Sequence, residues 1–249
     1  MNEKTARVPR FHVPAVLREG GVAELGEEAA RHAVSVLRIR AGDTVILFNG
    51  NGGEYEAAVT DVARRTVRLA VGAWRALECE SPLAVTLIQG ISGGERMDFT
   101  VQKAVELGVA AIQPMLTQRS LVRLSPERAA SRQAHWQRIA IASCEQCGRN
   151  RVPIVREPLP VADFLRRVPD AATRLLLAPQ AEQRLRGLDC DWSREVLLAA
   201  GPEAGFSPEE EALLVSAGFV AVRLGPRVLR TETAAPAALA ALAALYGDG

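Results

Sequence analysis

Two cysteines in a C-x-x-C arrangement, Cys144 and Cys147, have the spacing that most directly suggests chemistry. Such a pair can be half of a structural zinc site, which needs four ligands and usually two close pairs. The other two cysteines, Cys79 and Cys190, are isolated, and the three histidines form no short-spaced pair. The spacing therefore predicts that the protein has no metal site.

A redox-active pair needs a thiolate with a low pKa, which thioredoxin-type sites obtain from a helix N-terminus. Here Ser125 and Pro126 are typical of a helix start, and Gly148 is typical of a helix C-terminal cap. The cysteines then lie in the last turn, at the negative end of the helix dipole, where a thiolate is disfavoured. We predict that they are packed and inert, which leaves a thiol oxidoreductase as a weak alternative.

The segment around these cysteines is strongly basic. Residues 119–151 contain seven arginines and two acidic residues, whereas the whole chain of 249 residues has a formal net charge of +1. A solvated helix face and an RNA phosphate-contacting edge both explain this bias, and charge patterning alone leaves both open.

Two glycine-proline loops follow apolar segments that read as strands. They are GPEAGF (201–206) and LGPRVLRTET (224–233), and the second contains Arg230 and Glu232. In open α/β sheets ligands bind beyond the carboxyl ends of the strands, where glycines let the backbone approach a ligand. The chain has no G-x-G-x-x-G and no P-loop, so an ordinary dinucleotide or NTP site is not indicated. We therefore predict a ligand site built from these two loops.

The elements that must position this site divide the chain into two predicted domains. Residues 1–75 contain short alternating segments around the turn at 49–53, which predicts a small β-barrel. Residues 76–249 alternate apolar strands with helical periodicity, which predicts a mostly parallel α/β sheet. The predicted strands are 83–88, 109–116, 174–178, 196–200 and 219–224. The predicted helices run from 93–94 to 108, from 125 to 148, from 207 to about 218, and over 231–246.

Composition indicates where this protein works. No apolar run reaches the roughly 18–20 residues of a membrane span, and the start, MNEKTARVPRF, lacks the apolar core of a signal peptide. Four cysteines without a secretory signal suit a reducing compartment. We therefore expect a cytoplasmic protein with no membrane partner.

Four separated segments give the chain a specific resemblance. GERMDFTVQKAVELGV (94–109), IAIASCEQCGRNRVP (139–153), GPEAGF and LGPRVLRTET resemble, in this order, the bacterial 16S ribosomal RNA uridine N3-methyltransferases, the ribosomal RNA small subunit methyltransferase E family of the SPOUT superfamily. The resemblance runs nearly end to end. It implies an N-terminal PUA-like β-barrel that binds RNA and a C-terminal SPOUT α/β domain with a deep trefoil knot.

The resemblance also implies a function and partners. Its members are homodimers that use S-adenosyl-L-methionine to methylate N3 of one uridine in the decoding region of 16S rRNA, within the small ribosomal subunit. It places the cofactor in the knot. Uridine N3 becomes a good nucleophile only when its proton leaves, so we predict that Arg230 stabilises or orients the uracil anion and that Glu232 either takes the proton or holds Arg230 in place. A structural ion pair between these two residues is the alternative. The cofactor-binding positions that the resemblance implies are Leu177, Pro179, Gly201, Pro202, Glu203, Gly205, Leu224, Gly225, Pro226, Val228, Leu229, Arg230 and Thr233.

Candidate RNA contacts follow from the same resemblance and from the basic segment: Arg10, Arg96, Arg119, Arg149, Asn150 and Arg151. One position departs from the family pattern, because Ala204 stands where the family usually has glycine. An alanine held at positive φ costs on the order of 1 kcal/mol. The alternatives are a SPOUT methyltransferase for another RNA and a non-catalytic RNA-binding assembly factor, for which Ala204 is the support.

Overall fold

The structure, a computed structural model, describes residues 8–168 and 172–249. These residues form two compact units. The first comprises the described residues up to Glu80 together with Cys144–Val152, and the second comprises those within Ser81–Ser143 and Pro153–Gly249. The segment Cys144–Val152 thus packs with the first unit, although the sequence prediction assigned it to the range 76–249.

The first unit is built on a five-stranded sheet in the order β1-β3-β4-β5-β2. Its strands are β1 (Arg10–His12), β2 (Val22–Glu24), β3 (Thr44–Phe48), β4 (Glu54–Val62) and β5 (Val67–Arg75). Helix α1 (Glu27–His32) continues into a π-helical turn, Ala33–Leu37. The predicted strand pair around residues 49–53 is confirmed, and β3 and β4 pair antiparallel. The two outer strands β1 and β2 do not pair with each other in the described part of the chain, so a closed barrel stays a prediction.

Buried and exposed residues alternate along the strands of this sheet, and the buried ones form the core of the first unit. Along β4 and β5, alternate residues such as Ala57, Val59, Leu69 and Val71 point inward and are buried, as period-two strands require. Three glycines in the turn between β3 and β4 have positive φ, at Gly50, Gly52 and Gly53, and this conformation is accessible at low cost only without a side chain.

The second unit contains an all-parallel sheet in the order β12-β10-β11-β6-β7-β8, with β9 also pairing with β7. Its strands are β6 (Val85–Gly90), β7 (Ala111–Leu116), β8 (Ile154–Val155), β9 (Leu159–Pro160), β10 (Thr173–Leu177), β11 (Val196–Ala200) and β12 (Val220–Val222). Its helices are α2 (Glu95–Glu106), α3 (Pro126–Cys147, whose last turn belongs to the first unit), α4 (Val161–Leu165), α5 (Pro208–Ser216) and α6 (Thr231–Tyr246). The predicted parallel α/β sheet is confirmed.

Local sequence signals place these helices. The Ser207 hydroxyl accepts from the Glu210 backbone N–H while the Glu210 carboxylate accepts from the Ser207 N–H, so a capping box starts α5 at the predicted position. The apolar stripe of α2, which includes Met97 and Val101, is buried. Helix α3 begins at Pro126 and ends at Cys147, and Gly148 has φ 99°, as its sequence indicates.

Strand ends differ from the prediction by a few residues. Strand β6 runs to Gly90 because its pairing with β7 continues as far as Gly90 opposite Met115. The short elements β1, β2, β8, β9, α1 and α4 were not predicted, since two to six residues carry too little periodicity to be recognised. No helix among residues 8–168 and 172–249 is long and apolar enough to cross a membrane.

Candidate functional site

A cavity of about 610 Å³ opens at the carboxyl ends of the parallel strands in the second unit. The loops that follow β10, β11 and β12 form its walls, as expected for a ligand site in an open α/β sheet. Its volume lies in the range of roughly 300–1,000 Å³ typical of small-molecule sites. The glycine-proline loops singled out in the sequence are therefore brought together at one site.

The backbone at this site is packed too closely for larger residues. A Cβ atom added to Gly90 would lie 2.4 Å from Cδ of Pro202, and one added to Gly201 would lie 2.9 Å from Cα of Gly205. The Thr231 hydroxyl, on the first residue of α6, donates a 2.9 Å hydrogen bond to the carbonyl of Gly201. The loop after β11 is thus held between the end of β6 and the start of α6.

The departure at position 204 causes no backbone strain. Gly205 has φ +71°, whereas Arg38 is the one non-glycine residue with positive φ in the described chain, so Ala204 keeps an ordinary backbone conformation. Alanine is tolerated there, and the family's glycine is not needed for its φ.

Charged side chains at the cavity form a connected set. The Glu203 carboxylate oxygen Oε1 accepts from the Gly93 N–H at 2.9 Å and from Nη1 of Arg96 at 3.1 Å. Nε of the same arginine lies 3.8 Å from Oε2 of Glu232. Five arginines and three glutamates line the cavity, so it presents charges of both signs to a ligand.

The guanidinium groups of Arg230 and Arg119 differ in their hydrogen-bond partners. Nη1 of Arg119 donates to the carbonyls of Ala204 and Phe206, at 3.4 and 3.3 Å. Arg230 is the N-cap residue of α6 and lines the cavity; in the chain as described, its guanidinium has no hydrogen-bond or ion-pair partner. The Arg230 guanidinium is therefore available to a ligand, as are those of Arg223 and Arg227, which line the cavity and have no side-chain partner in the described chain either.

Most of the predicted site residues meet at this cavity. The lining includes Arg96, Arg119, Leu177, Pro179, Gly201, Pro202, Glu203, Gly205, Leu224, Gly225, Val228, Leu229, Arg230 and Glu232. Pro226 and Thr233 are not among the lining residues. Ten lining residues are absent from the predicted set. Ala204 and Phe206 lie inside the quoted motif 201–206, and Arg227 and Thr231 lie inside the motif 224–233. The others are Ala178, Ala200, Glu211, Val222, Arg223 and Ala234.

The remaining predicted RNA contacts lie in the first unit, where two of them are buried. Arg149 has a side chain that is 5% exposed and donates from Nε to Glu80 at 2.9 Å. Asn150 is buried; it accepts from Arg10 and donates to the carbonyl of Leu77. This burial favours a structural role for these two side chains.

Arg10 and Arg151 contrast in exposure. The guanidinium of Arg10 is nearly buried and pairs with the carboxylate of Glu54, which also pairs with Arg75. Burial by itself would raise the pKa of Glu54, but hydrogen bonding to Arg10 and the charges of both arginines outweigh it and lower that pKa. The side chain of Arg151 is 59% exposed and lies 3.5 Å from Glu78, so among the first-unit candidates this side chain is open to an RNA.

Cys144 of the cysteine pair is packed, as predicted, whereas Cys147 is partly exposed. Cys144 is fully buried in the last turn of α3, and burial raises the pKa of its thiol to about 12. Within residues 8–168 and 172–249, no cluster of three or more His, Cys, Asp or Glu could hold a metal ion. All four cysteines are free thiols.

Comparison with known proteins gives this architecture a family. Residues 79–243 match the model of the RNA methyltransferase domain, and residues 25–71 match that of the RNA methyltransferase PUA domain. Ribosomal RNA small subunit methyltransferase E of Buchnera aphidicola subsp. Schizaphis graminum is 32% identical over 242 residues, covering 97% of this chain and 98% of that protein.

Solved structures agree with this match. The crystal structure of a ribosomal RNA small subunit methyltransferase E from Neisseria gonorrhoeae, bound to S-adenosyl methionine, has a TM-score of 0.90 and 41% identity, covering 97% of this chain and 99% of that one. A putative methyltransferase from Legionella pneumophila, in complex with the same cofactor, has a TM-score of 0.92 and 40% identity, covering 98% and 100%. The motif resemblance is confirmed, and the chain belongs to the ribosomal RNA small subunit methyltransferase E family.

Proposed function

We propose that this protein transfers the methyl group of S-adenosyl-L-methionine to N3 of a uridine in the decoding region of 16S rRNA, in the small ribosomal subunit. The observation that carries the proposal is the cavity at the strand ends, with Arg230 and Glu232 in its wall. Relatives that match nearly the whole chain hold the same cofactor, which supports its assignment to this cavity.

The residues of the cavity fit this cofactor. Leucines 177, 224 and 229 offer apolar surface for an adenine ring, and the glycine loops present backbone polar groups without side chains in the way. Glu203 places a carboxylate in the cavity wall, which suits a ligand with cationic groups. When bound, S-adenosylmethionine supplies an electrophilic methyl group on a sulfonium, whose C–S electron pair returns to sulfur on transfer.

The chain's own residues must make uridine N3 nucleophilic and hold it in line with the C–S bond that breaks. N3 is a weakly acidic imide nitrogen, and its lone pair becomes available for the new N–C bond when its proton leaves. We assign Glu232 as the acceptor of that proton and Arg230 as the cation that stabilises the uracil anion. Most of the rate enhancement then comes from positioning and charge stabilisation.

The contacts of Glu232 support this division of roles. From the sequence, Glu232 is either a proton acceptor or a residue that holds Arg230 in place. Its ion pair in the described chain joins it to Arg96, and Arg230 has no partner. The Arg230 guanidinium is therefore available to substrate, which favours proton acceptance over bracing.

RNA binding is proposed for the exposed arginines. Arg119 lines the cavity and Arg151 lies on the surface of the first unit, so both are candidates for phosphate contacts. For Arg10, Arg149 and Asn150, the contacts within the first unit support a structural role instead.

The deep trefoil knot, the closed PUA-like barrel, the homodimer and the cytoplasmic location belong to the same proposal. The knot rests on membership of the family, which the domain match and the related structures support. Threaded chains are otherwise rare. Light scattering of the purified protein tests the dimer, and a monomeric mass contradicts it.

The function is tested by incubating purified protein with radiolabelled S-adenosylmethionine and small subunits that lack the modification, followed by digestion of the RNA to nucleosides. Label in 3-methyluridine is expected. No label with intact cofactor binding points to another RNA substrate. No label and no cofactor binding contradicts the proposed function and favours a non-catalytic assembly factor.

A further inference from the structure

Arg96, in the first turn of α2, contacts two carboxylates at once. Its Nη1 donates to Glu203 Oε1 at 3.1 Å, and its Nε lies 3.8 Å from Glu232 Oε2. These glutamates belong to different segments: one lies in the loop after β11 and the other in the first turn of α6. One guanidinium thus ties together three segments that are far apart in the sequence.

The link to the loop after β11 is reinforced from the backbone. Oε1 of Glu203 also accepts from the Gly93 N–H at 2.9 Å. The carboxylate is therefore held by the residues that lead into α2 as well as by Arg96. The position of Arg96 is consequently fixed relative to the cavity wall.

The second carboxylate depends on Arg96 more completely. Oε2 of Glu232 is buried and has no hydrogen-bond partner in the described chain, and the arginine is its ion-pair partner. Removing the guanidinium would leave that oxygen buried without a countercharge, which is costly. With Oε2 turned towards Arg96, Oε1 is the oxygen left to a ligand.

The local charge is unfavourable for a phosphate. Arg96, Glu203 and Glu232 together carry one positive and two negative formal charges. A phosphate brought to this guanidinium would meet two carboxylates within about 4 Å of it, and like charges repel. This geometry disfavours the RNA contact predicted for Arg96 from the sequence.

We propose that Arg96 is a positioning residue that aims the Glu232 carboxylate at the substrate, in place of an RNA phosphate contact. The inference rests on the proposed function, in which Glu232 accepts the N3 proton. Arg96 acts through Glu232 and does not itself meet the reacting atoms.

The test uses Arg96→Gln and Arg96→Lys in the full chain, with Arg166→Gln as the control, since Arg166 pairs with Asp163 on α4 and lies outside the cavity. Turnover is measured with saturating S-adenosylmethionine, and RNA binding is measured over a range of salt concentrations. For Arg96→Gln we expect kcat to fall by on the order of 10- to 100-fold, the cost of a misplaced group. The salt slope of RNA binding is expected to stay unchanged.

Two further results separate positioning from a general structural effect. Arg96→Lys restores a cation and is expected to recover part of kcat, though not the two-point contact of the guanidinium. The double variant Arg96→Gln with Glu232→Gln is expected to match Glu232→Gln alone within about twofold, because the two residues act as one unit.

The opposite outcome is equally specific. A salt slope reduced by roughly 0.7 to 0.9 in Arg96→Gln, with kcat retained, would make Arg96 a phosphate contact and overturn the inference. Additive losses in the double variant overturn it as well. If the wild-type protein yields no 3-methyluridine, the proposed function itself is wrong. If the wild-type protein is active and the Arg96 variants only lose a phosphate contact, the proposed function stands and the role inferred for Arg96 is wrong.

Discussion

The Glu80 carboxylate accepts a 2.9 Å hydrogen bond from Nε of Arg149, a pairing between residues 69 positions apart in the sequence. Both residues belong to the first compact unit. Arg149 follows the C-x-x-C after one glycine, and its side chain is almost fully buried. The arginine that the sequence offers as an RNA contact is therefore an internal partner of an acidic side chain.

Arg149 and Arg151 are neighbours with opposite expected effects on stability. Arg149→Ala leaves Glu80 without its buried partner, so we expect the free energy of unfolding to fall by about 3–5 kcal/mol. Arg151→Ala removes an exposed pair with Glu78 and is expected to cost about 1 kcal/mol or less. Denaturant titration measures both. Equal losses would contradict the assignment of Arg149 as a structural residue.

The salt dependence of RNA binding tests the two arginines proposed to contact phosphates. Because each phosphate contact releases counterions, Arg151→Ala and Arg119→Ala are each expected to reduce the slope of log affinity against log salt by roughly 0.7 to 0.9. Variants are compared by filter binding to small-subunit RNA at several salt concentrations. An unchanged slope for either variant removes that residue from the interface.

Arg230→Ala tests the proposed stabilisation of the uracil anion. The guanidinium has no partner in the described protein, so its loss is expected to leave folding intact and to change cofactor affinity by no more than a few fold. Turnover is expected to fall by on the order of 100- to 1,000-fold, as for other groups that stabilise a developing anion. Calorimetry with S-adenosylmethionine and single-turnover kinetics measure the two quantities. Unchanged turnover, or an unfolded variant, would argue against the role.

Adjacent positions in the loop after β11 offer a test of backbone strain. Gly205→Ala places a side chain at φ +71°, which costs about 1–2 kcal/mol and is expected to weaken cofactor binding on the order of tenfold. Ala204→Gly, the family's usual residue, is expected to leave affinity within about twofold, since the φ of Ala204 is not positive. A large gain in affinity for Ala204→Gly would show that the alanine does limit the site.

Acidification should remove the contribution that the Glu54 carboxylate makes to the stability of the fold. The pKa of this carboxyl is lowered from its ordinary value of 4.5, so its pairing with arginines stabilises the fold above that pH and is lost as the pH falls through the lower folded-state pKa. At pH 7 we expect Glu54→Gln to be less stable than wild type, because it leaves the nearly buried Arg10 unpaired. The difference in melting temperature should shrink as the pH falls below about 4.5. A melting-temperature difference that stays constant down to pH 3 would show that ionisation of Glu54 does not contribute to stability.

Thiol labelling tests the assignment of the C-x-x-C as packed. The pKa of about 12 leaves Cys144 almost entirely protonated at neutral pH, and the side chain is fully buried. Iodoacetamide at pH 7.5 is expected to modify the exposed Cys79 and to spare Cys144 until the protein is denatured. Mass spectrometry of the labelled peptides gives the order in which the cysteines react. Rapid labelling of Cys144 in the native protein would restore the thiol-chemistry alternative.

Much of the second unit could be predicted because its signals are local. A capping box fixes the start of α5, and Pro126 with Gly148 marks both ends of α3. Apolar strands buried on both faces, such as β6 and β11, are continuous runs that are easily recognised. The glycine-proline loops could be assigned to one site because the carboxyl ends of parallel strands meet at one edge.

Charge partners could not be predicted in the same way. Arg96 and Glu203 are 107 residues apart, and nothing in either local sequence shows that they meet. The same holds for Arg149, whose motif is equally compatible with an exposed basic edge. A side chain's partner depends on which segments pack together, and that is decided by the burial of the whole core.

By itself the sequence determined the longer elements, the parallel sheet, the family and two of the three loops that form the cavity, since all of these follow from periodicity, turn residues and motifs. The tertiary structure alone decided that Glu232 faces Arg96 and leaves Arg230 to a ligand, and that Arg149 is buried. It also decided that Ala204 keeps an ordinary φ. The physical reason is that ion pairs and backbone angles are set by contacts between distant segments, and these form only when the core packs.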